Sequence, residues 1–276
     1  MKPINITQPD GPSFKVTDES LVEWQKWRFR VSFNPREGAV LHDIHYDGRS
    51  ILYRMSISEM TVPYGDPRPP FHRKQAFDFG DGGAGNCANN LSLGCDCLGV
   101  IKYFDAVIVS NNGEPQLHPN VICLHEQDNG IGWKHTNWRT GRAVVSRMRE
   151  LVVQFIITLA NYEYVFAYKL DTAGGITLEV RATGIVSVVN IDPGKTSDYG
   201  NVVSGGVLAQ NHQHIFAAST CNKSKIRNLN SNQQQQESTQ QLTVIETLSF
   251  TKNPTPPLGT NSQTLMATFT KSAKRS

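Results

Sequence analysis

The sequence predicts an all-β fold, a sandwich or barrel, and three observations carry that prediction. Twenty-two glycines and fourteen prolines punctuate runs of aromatic and β-branched residues. Trp27, Phe29, Val31 and Phe33 alternate with Arg28, Arg30 and Ser32, the period of a half-buried strand. No segment holds a helical period with caps at both ends. After that first strand, Asn34, Pro35, Arg36, Glu37 and Gly38 read as a turn, and residues 39–46 as the returning strand. Residues 80–85, rich in glycine, read as a flexible turn. An almost unbroken apolar run follows at 151–159. Strands at 164–170 and 176–182 flank Asp171, Thr172, Ala173, Gly174 and Gly175, a hairpin signal, and a further strand is expected at 185–191.

The 276 residues leave room for one large or two ordinary domains, and an apolar content of 38% can supply a core. No run of apolar residues reaches the length of a membrane span, and the first six residues lack the apolar stretch of a secretory signal. Net charge is +3, but residues 222–276 carry seven Lys/Arg against two Asp/Glu, so the body is close to neutral. A neutral body argues against a nucleic-acid-binding surface, which would normally show a basic stripe. Composition changes near residue 220. Residues 222–241 hold four consecutive glutamines and many Asn and Ser, and such a tract buries too little to offset the entropy of ordering. The expected organisation is a body over 1–220 and a low-complexity, disordered tail over 221–276, with a weak strand at 242–250.

Among eight histidines, only His212 and His214 have compact ligand spacing. In a strand, residues two apart share a face, so both imidazoles can reach one ion, and imidazole pairs suit copper, zinc or iron. The competing reading is two polar residues on a solvated strand face. His125-Glu126 lacks the second histidine of a zinc-protease helix, since Asn129 stands there. No nucleophile elbow supports Ser-His-Asp chemistry, and Cys95-Asp96-Cys97 lacks the spacing of a redox pair or zinc knuckle.

Thr158-Leu159-Ala160-Asn161-Tyr162-Glu163-Tyr164 reads from composition as a buried strand with aromatics. It also resembles the Thr-x-x-Asn-Tyr-Asp/Glu-Tyr signature of the copper amine oxidases. Upstream landmarks stand in the same order: Val62-Pro63-Tyr64-Gly65-Asp66-Pro67, Phe77-Asp78-Phe79-Gly80, and Leu91-Ser92-Leu93-Gly94-Cys95-Asp96-Cys97-Leu98-Gly99. His125-Glu126-Gln127-Asp128, Lys134-His135 and the downstream Asn211-His212-Gln213-His214 complete the match. The resemblance covers roughly residues 5–220 and is to fungal members in particular.

The resemblance implies a large antiparallel β-sandwich, the catalytic domain of that family, and primary amine oxidation by copper(II) and a trihydroxyphenylalanine quinone. Tyr162 is then the quinone precursor that forms a Schiff base with the amine, and Asp78 the base that removes the α-proton. Tyr64 hydrogen-bonds the quinone oxygen, Asn161 limits rotation of the ring, and Glu163 is the acidic residue the signature permits. His212 and His214 are two copper ligands. Ala76 lies where many members carry an aromatic gate. Cys97 and Cys123 match positions joined as a disulfide, which leaves Cys87, Cys95 and Cys221 as thiols. Products would be an aldehyde, ammonia and hydrogen peroxide, and the partners a small primary amine, dioxygen and, for the family, a second copy in a homodimer.

Two departures qualify this reading. The family's third copper histidine lies far downstream, and here no histidine follows His214. The chain also begins near the start of the large sandwich, and the resemblance fades after about Ala218, so the sandwich is expected to be incomplete. The alternative is therefore a catalytically inactive fragment that keeps the signature without the third ligand. For location, cytoplasm and peroxisome both fit the family, and the terminal Lys274-Arg275-Ser276 is not the usual peroxisomal address.

Overall fold

The computed structural model describes residues 1–74, 76–221, 241–247 and 265–272. A first antiparallel sheet grows in chain order from β1 (Lys15–Thr17), β2 (Leu21–Trp24), β3 (Trp27–Asn34), β4 (Gly38–Tyr46) and β5 (Arg49–Val62), with the two-residue β6 (Ala76–Phe77) on the end of β5. A second sheet follows: β7 (Lys102–Val109), β8 (Pro115–Thr136), β9 (Ala143–Leu159), β10 (Tyr162–Asp171) and β11 (Gly175–Gly184). A small third sheet has β14 (Val207–Gln210) between β12 (Val188–Asn190) and β13 (Gly200–Ser204). The chain then returns to the first sheet, where β15 (Ile215–Cys221) pairs with β5. Beyond it, β16 (Gln241–Thr247) extends the first sheet and β17 (Leu265–Ser272) pairs with β11 on the second.

The two large sheets share one core. Val22, Trp24, Phe29 and Leu41 from the first meet Leu151, Val153, Phe155, Tyr164 and Phe166 from the second. Each such side chain contributes about 1.5–3 kcal/mol when fully buried. Tyr168 fastens the layers. Its hydroxyl donates to the Ala39 carbonyl at 3.0 Å and accepts the Ile57 N–H at 3.2 Å. Gly38 is needed at the β3–β4 turn. Its φ is +73°, and a β-carbon there would lie 2.4 Å from the Phe155 ring.

Most expected strands are present, and two expectations are corrected. The strand expected at 185–191 is only β12, because residues 185–187 instead pass over Tyr162 and Ser187 N–H is spent on its hydroxyl. Residues 80–85 are not a loose turn. Asp78–Asp81 form one helical turn, α1, and the glycines after it pack on the β3–β4 turn, where a β-carbon at Gly85 would lie 2.0 Å from the Asn34 carbonyl oxygen. In the expected tail, residues 222–240, 248–264 and 273–276 lie outside the described residues. The strand foreseen at 242–250 is β16, and β17 was not among the expected strands. Among the described residues no helix is long and apolar enough to cross a membrane.

Candidate active site

The signature folds as a tight hairpin. Leu159 pairs with Tyr162, so Ala160 and Asn161 form the two-residue turn between β9 and β10. Beyond the turn, Tyr162, Tyr164, Phe166 and Tyr168 share the core face of β10, with Tyr162 half-buried at its open end and the rest buried. On the opposite face, the Glu163 carboxylate accepts from the Thr158 hydroxyl at 2.7 Å and the Asn89 amide at 3.2 Å. Thr158, Asn89 and Glu163 thus close a polar clasp across the hairpin. Asn161 is exposed, and its carbonyl accepts the Ile185 N–H at 2.7 Å, which draws residues 185–187 against Tyr162.

His212 and His214 do not lie on a strand. They occupy the link between β14 and β15, where His212 forms an isolated antiparallel bridge with Tyr64. Gly65 N–H donates to the Asn211 carbonyl at 2.8 Å and Gln213 N–H to the Pro63 carbonyl at 3.1 Å, so the Tyr64 segment and the histidine link hold each other. The imidazoles converge all the same, with ring centroids 5.0 Å apart. Both are buried, which excludes the solvated-face reading.

Four rings meet around Tyr162. Its hydroxyl lies 2.9 Å from His212 Nε2 and accepts the Ser187 N–H at 3.0 Å. The His214 ring is 4.9 Å away, nearly edge-on, and His214 Nδ1 shares a 2.8 Å hydrogen bond with the Tyr164 hydroxyl. Tyr64 stacks on His212 at 4.8 Å and its hydroxyl bonds the Ser187 side chain. Lys74 Nζ sits 4.2 Å over the other part of this stack, on the Tyr64 ring, and donates to Gln210 Oε1 at 3.2 Å.

The tautomer of His212 follows from its partners. The Gln210 carbonyl can only accept, so His212 Nδ1 carries the proton at 2.8 Å and Nε2 keeps the lone pair that faces Tyr162. Burial lowers the pKa of His212, with Lys74 adding to it, and burial next to His212 takes His214 down to about 4. Neutral imidazoles with one nitrogen anchored are the form in which histidine ligates a metal. The donor set therefore fits part of a copper(II) site. Among the described residues no third His, Cys, Asp or Glu gathers with them. Burial likewise raises the phenol of Tyr162, with Ser187 N–H opposing it.

Asp78 begins α1. Its pKa is raised to about 6 by burial and by the neighbouring carboxylates Asp81 and Glu59, and its charge reaches Tyr64 and Tyr164. Glu59 Oε1 accepts the N–H groups of Phe79 at 2.9 Å and Gly80 at 3.3 Å, while Arg36 donates to its Oε2 at 3.1 Å. Glu59 thus caps the turn that carries Asp78. The structure also joins Cys97 and Cys123 in a disulfide, away from this pocket on the outer face of the second sheet. Ser187, Glu59, Lys74 and Gln210 carried no signal in the sequence, since none belongs to a ligand spacing and each acts through a tertiary neighbour.

Sandwich and pocket together define an all-β domain with a buried tyrosine–imidazole centre and a carboxylate of raised pKa beside it. A family model described as copper amine oxidase, enzyme domain, matches residues 15–270. Copper amine oxidase 1 of Aspergillus niger is 79% identical over 216 residues, covering 78% of this chain and 32% of that protein. The peroxisomal primary amine oxidase of Pichia angusta is 45% identical over 222 residues, covering 78% and 32%. In structure, a copper-containing benzylamine oxidase from Hansenula polymorpha superposes with a TM-score of 0.77 at 53% identity, over 80% of this chain and 35% of that one. The Aspergillus nidulans amine oxidase covers 97% of this chain and 35% of its own with a TM-score of 0.74, but at 22% identity the likeness is one of fold. The chain belongs to the copper amine oxidase family. It spans about a third of the length of the curated relatives it matches.

Proposed function

We propose that this chain carries the quinone-forming centre of a primary amine oxidase. The net reaction converts a primary amine, dioxygen and water to an aldehyde, ammonia and hydrogen peroxide. The observation that carries the reading is the Tyr162 hydroxyl, 2.9 Å from His212 Nε2 with the His214 ring alongside. His212 and His214 would hold copper(II). When present, copper and the quinone derived from Tyr162 supply the redox chemistry, drawing electrons from the amine's α-carbon and passing them to dioxygen.

The chain's own residues do the rest. Asp78 takes the α-proton on its carboxylate. A base with pKa about 6 is ionised at neutral pH yet basic enough to accept a proton from an acidified carbon. Tyr64 and Ser187 together fix the ring of residue 162, Tyr64 from its stack on His212 and Ser187 from its backbone N–H. Asn161 restrains the ring from the turn. Tyr164 and Phe166 close the floor and exclude water.

A second reading, a chain that keeps the signature without turning over, rests on the same metal set: only two donors gather among the described residues. One experiment separates the two. The purified chain is incubated aerobically with copper(II) and titrated with phenylhydrazine, alongside Tyr162→Phe. A coloured adduct absent from the variant supports the quinone centre, and no adduct from folded protein sinks it in favour of the second reading.

A further inference from the structure

On the outer face of the second sheet, Cys97, Cys123 and His125 bring three potential ligand atoms within 4.8 Å of one another, all buried. Cys123 and His125 are two apart on β8 and so share a face, with Cys123 Sγ 3.8 Å from His125 Nδ1. Cys97 arrives from a separate loop, held by the Gly94 N–H on its carbonyl and by the bridge of Leu93 to Cys97. The Gln154 amide lies opposite Cys123 on β9, donates to the Asp96 carbonyl at 3.2 Å and reaches 3.9 Å from Cys97 Sγ.

We propose that reduction of this disulfide exposes a second metal site, in which the thiolates of Cys97 and Cys123 and the imidazole of His125 bind a d¹⁰ cation, zinc(II), distinct from the tyrosine–imidazole pocket. Two thiolates and one imidazole are a borderline-soft donor set, and zinc takes S and N ligands in a tetrahedron whose edges are about 3.6 Å. The Cys123–His125 separation already has that span. A fourth position stays open to a non-protein ligand. Charge also balances. Two thiolates and a divalent cation sum to zero, so the site adds no net charge beside Lys169 and Arg181, both already engaged by Glu179. The Gln154 amide is placed to donate to the Cys97 thiolate.

The chemistry needs a reductant, a dithiol or a phosphine. It delivers two electrons to the S–S bond and each sulfur takes up one proton; a dithiol gives up its own two protons and leaves as its disulfide, whereas a phosphine leaves as its oxide with water supplying the oxygen and both protons. Zinc(II) then displaces the two thiol protons. The cluster is thus closed by oxidation and opened by reduction.

The test uses the full chain, oxidised or reduced with a phosphine, titrated with cobalt(II) as a spectroscopic probe and then with zinc(II) in competition with a chromogenic chelator. The expected result is one equivalent more bound by the reduced than by the oxidised chain, with a sulfur-to-cobalt charge-transfer band in the near ultraviolet, and no such band in the oxidised chain. Cys123→Ser abolishes the band, whereas Cys87→Ser and Cys95→Ser keep it. His125→Gln retains the disulfide and the fold, and should weaken zinc binding by the reduced chain by at least about 100-fold, since even groups that only orient a ligand are worth 10–100-fold. No band from a folded, reduced chain overturns the proposal, as does a band that follows Cys95. So does a reduced chain that loses its strand circular dichroism and does not regain it with zinc.

Discussion

Glu37 and Asp78 are partly buried carboxylates at the two ends of one contact chain, and their surroundings push them in opposite directions. Glu37 opens β4. Burial alone would raise its pKa, but hydrogen bonds from Arg54, Ser56 and Asn34, with the Arg54 charge, overcome this and hold it below the ordinary glutamate range. Asp78 opens α1, where burial, Asp81 and Glu59 all act to raise it. They are linked through the β3–β4 turn that holds Glu37, whose Arg36 reaches Glu59 and whose backbone packs on the glycines behind α1. One region matches each oxygen with a donor and stabilises the first sheet. The other gathers like charges and is held in place by its neighbours. A partly buried carboxylate kept under such conditions has the environment that the proposed role of Asp78 requires.

The contrast breaks most sharply at Asp78. Asp78→Asn should leave the phenylhydrazine adduct of Tyr162 intact while peroxide release with a primary amine falls by about 10²–10⁴, the usual worth of a general base. An unchanged rate would remove Asp78 from the mechanism. At the other end, Arg54→Met strands Glu37 with only Ser56 and Asn34. Breaking a fully buried ion pair costs about 3–5 kcal/mol, and partial exposure of both groups reduces the expected loss to about 2 kcal/mol in urea unfolding. A loss below a few tenths would show that the ion pair is not what holds this corner.

The pH dependence of stability sharpens the same comparison, because the two signs differ. Glu37 has a lowered folded pKa, so its contribution is complete above pH 4.5 and is lost as pH falls through the folded value. Asp78 rises from 3.8 to about 6, so its contribution is complete below 3.8 and is lost as pH climbs through 6. Glu37→Gln should therefore flatten the acid limb of the stability profile. Asp78→Asn should gain on the parent between pH 4 and pH 6 and hold that gain at pH 7, a case of activity traded against stability. Urea midpoints across that range measure both, and parallel profiles for Asp78→Asn and the parent would refute the raised pKa.

How much of this was legible in the sequence depends on how local each feature is. Strands such as β3 and β10 announce themselves because the alternation of Trp27, Phe29 and Val31, or of Tyr164, Phe166 and Tyr168, is set by the pleat itself. The Tyr162 hairpin and the histidine pair were found as a signature, but their setting was not. The histidines sit in a link rather than a strand, and they converge because residues 63–65 and 185–187 press in from elsewhere. Ser187 illustrates the limit. Its useful group is a backbone N–H, which every residue but proline offers, so no residue type could flag it. Glu59 reads as an ordinary strand residue until the glycine turn folds over it. Residues 265–272 carry strand-favouring Thr268, Phe269 and Thr270 but no flanking turn signal that sets them apart, and it is pairing with β11 that marks them as a strand.

The smallest effect lies at the turn that presents Tyr162. Ala160 has φ +51°, in the left-handed region where a β-carbon costs about 1–2 kcal/mol, and it is held there by the pairing of Leu159 with Tyr162. Such strain persists only where surrounding structure fixes it, here the clasp of Glu163 on Thr158 and Asn89 and the bond from Ile185 to Asn161. Ala160→Gly relieves the strain but adds about 0.4–1 kcal/mol of unfolded-chain entropy, so the net should be a gain of about 0.5 kcal/mol. If the strained turn serves only to fix the hairpin, the phenylhydrazine titre stays as in the parent. If it also aims the ring of residue 162 at His212, adduct formation slows in a variant that is more stable than its parent. That outcome would place the turn with the Asp78 carboxylate, among the features that the fold sustains at a cost in stability.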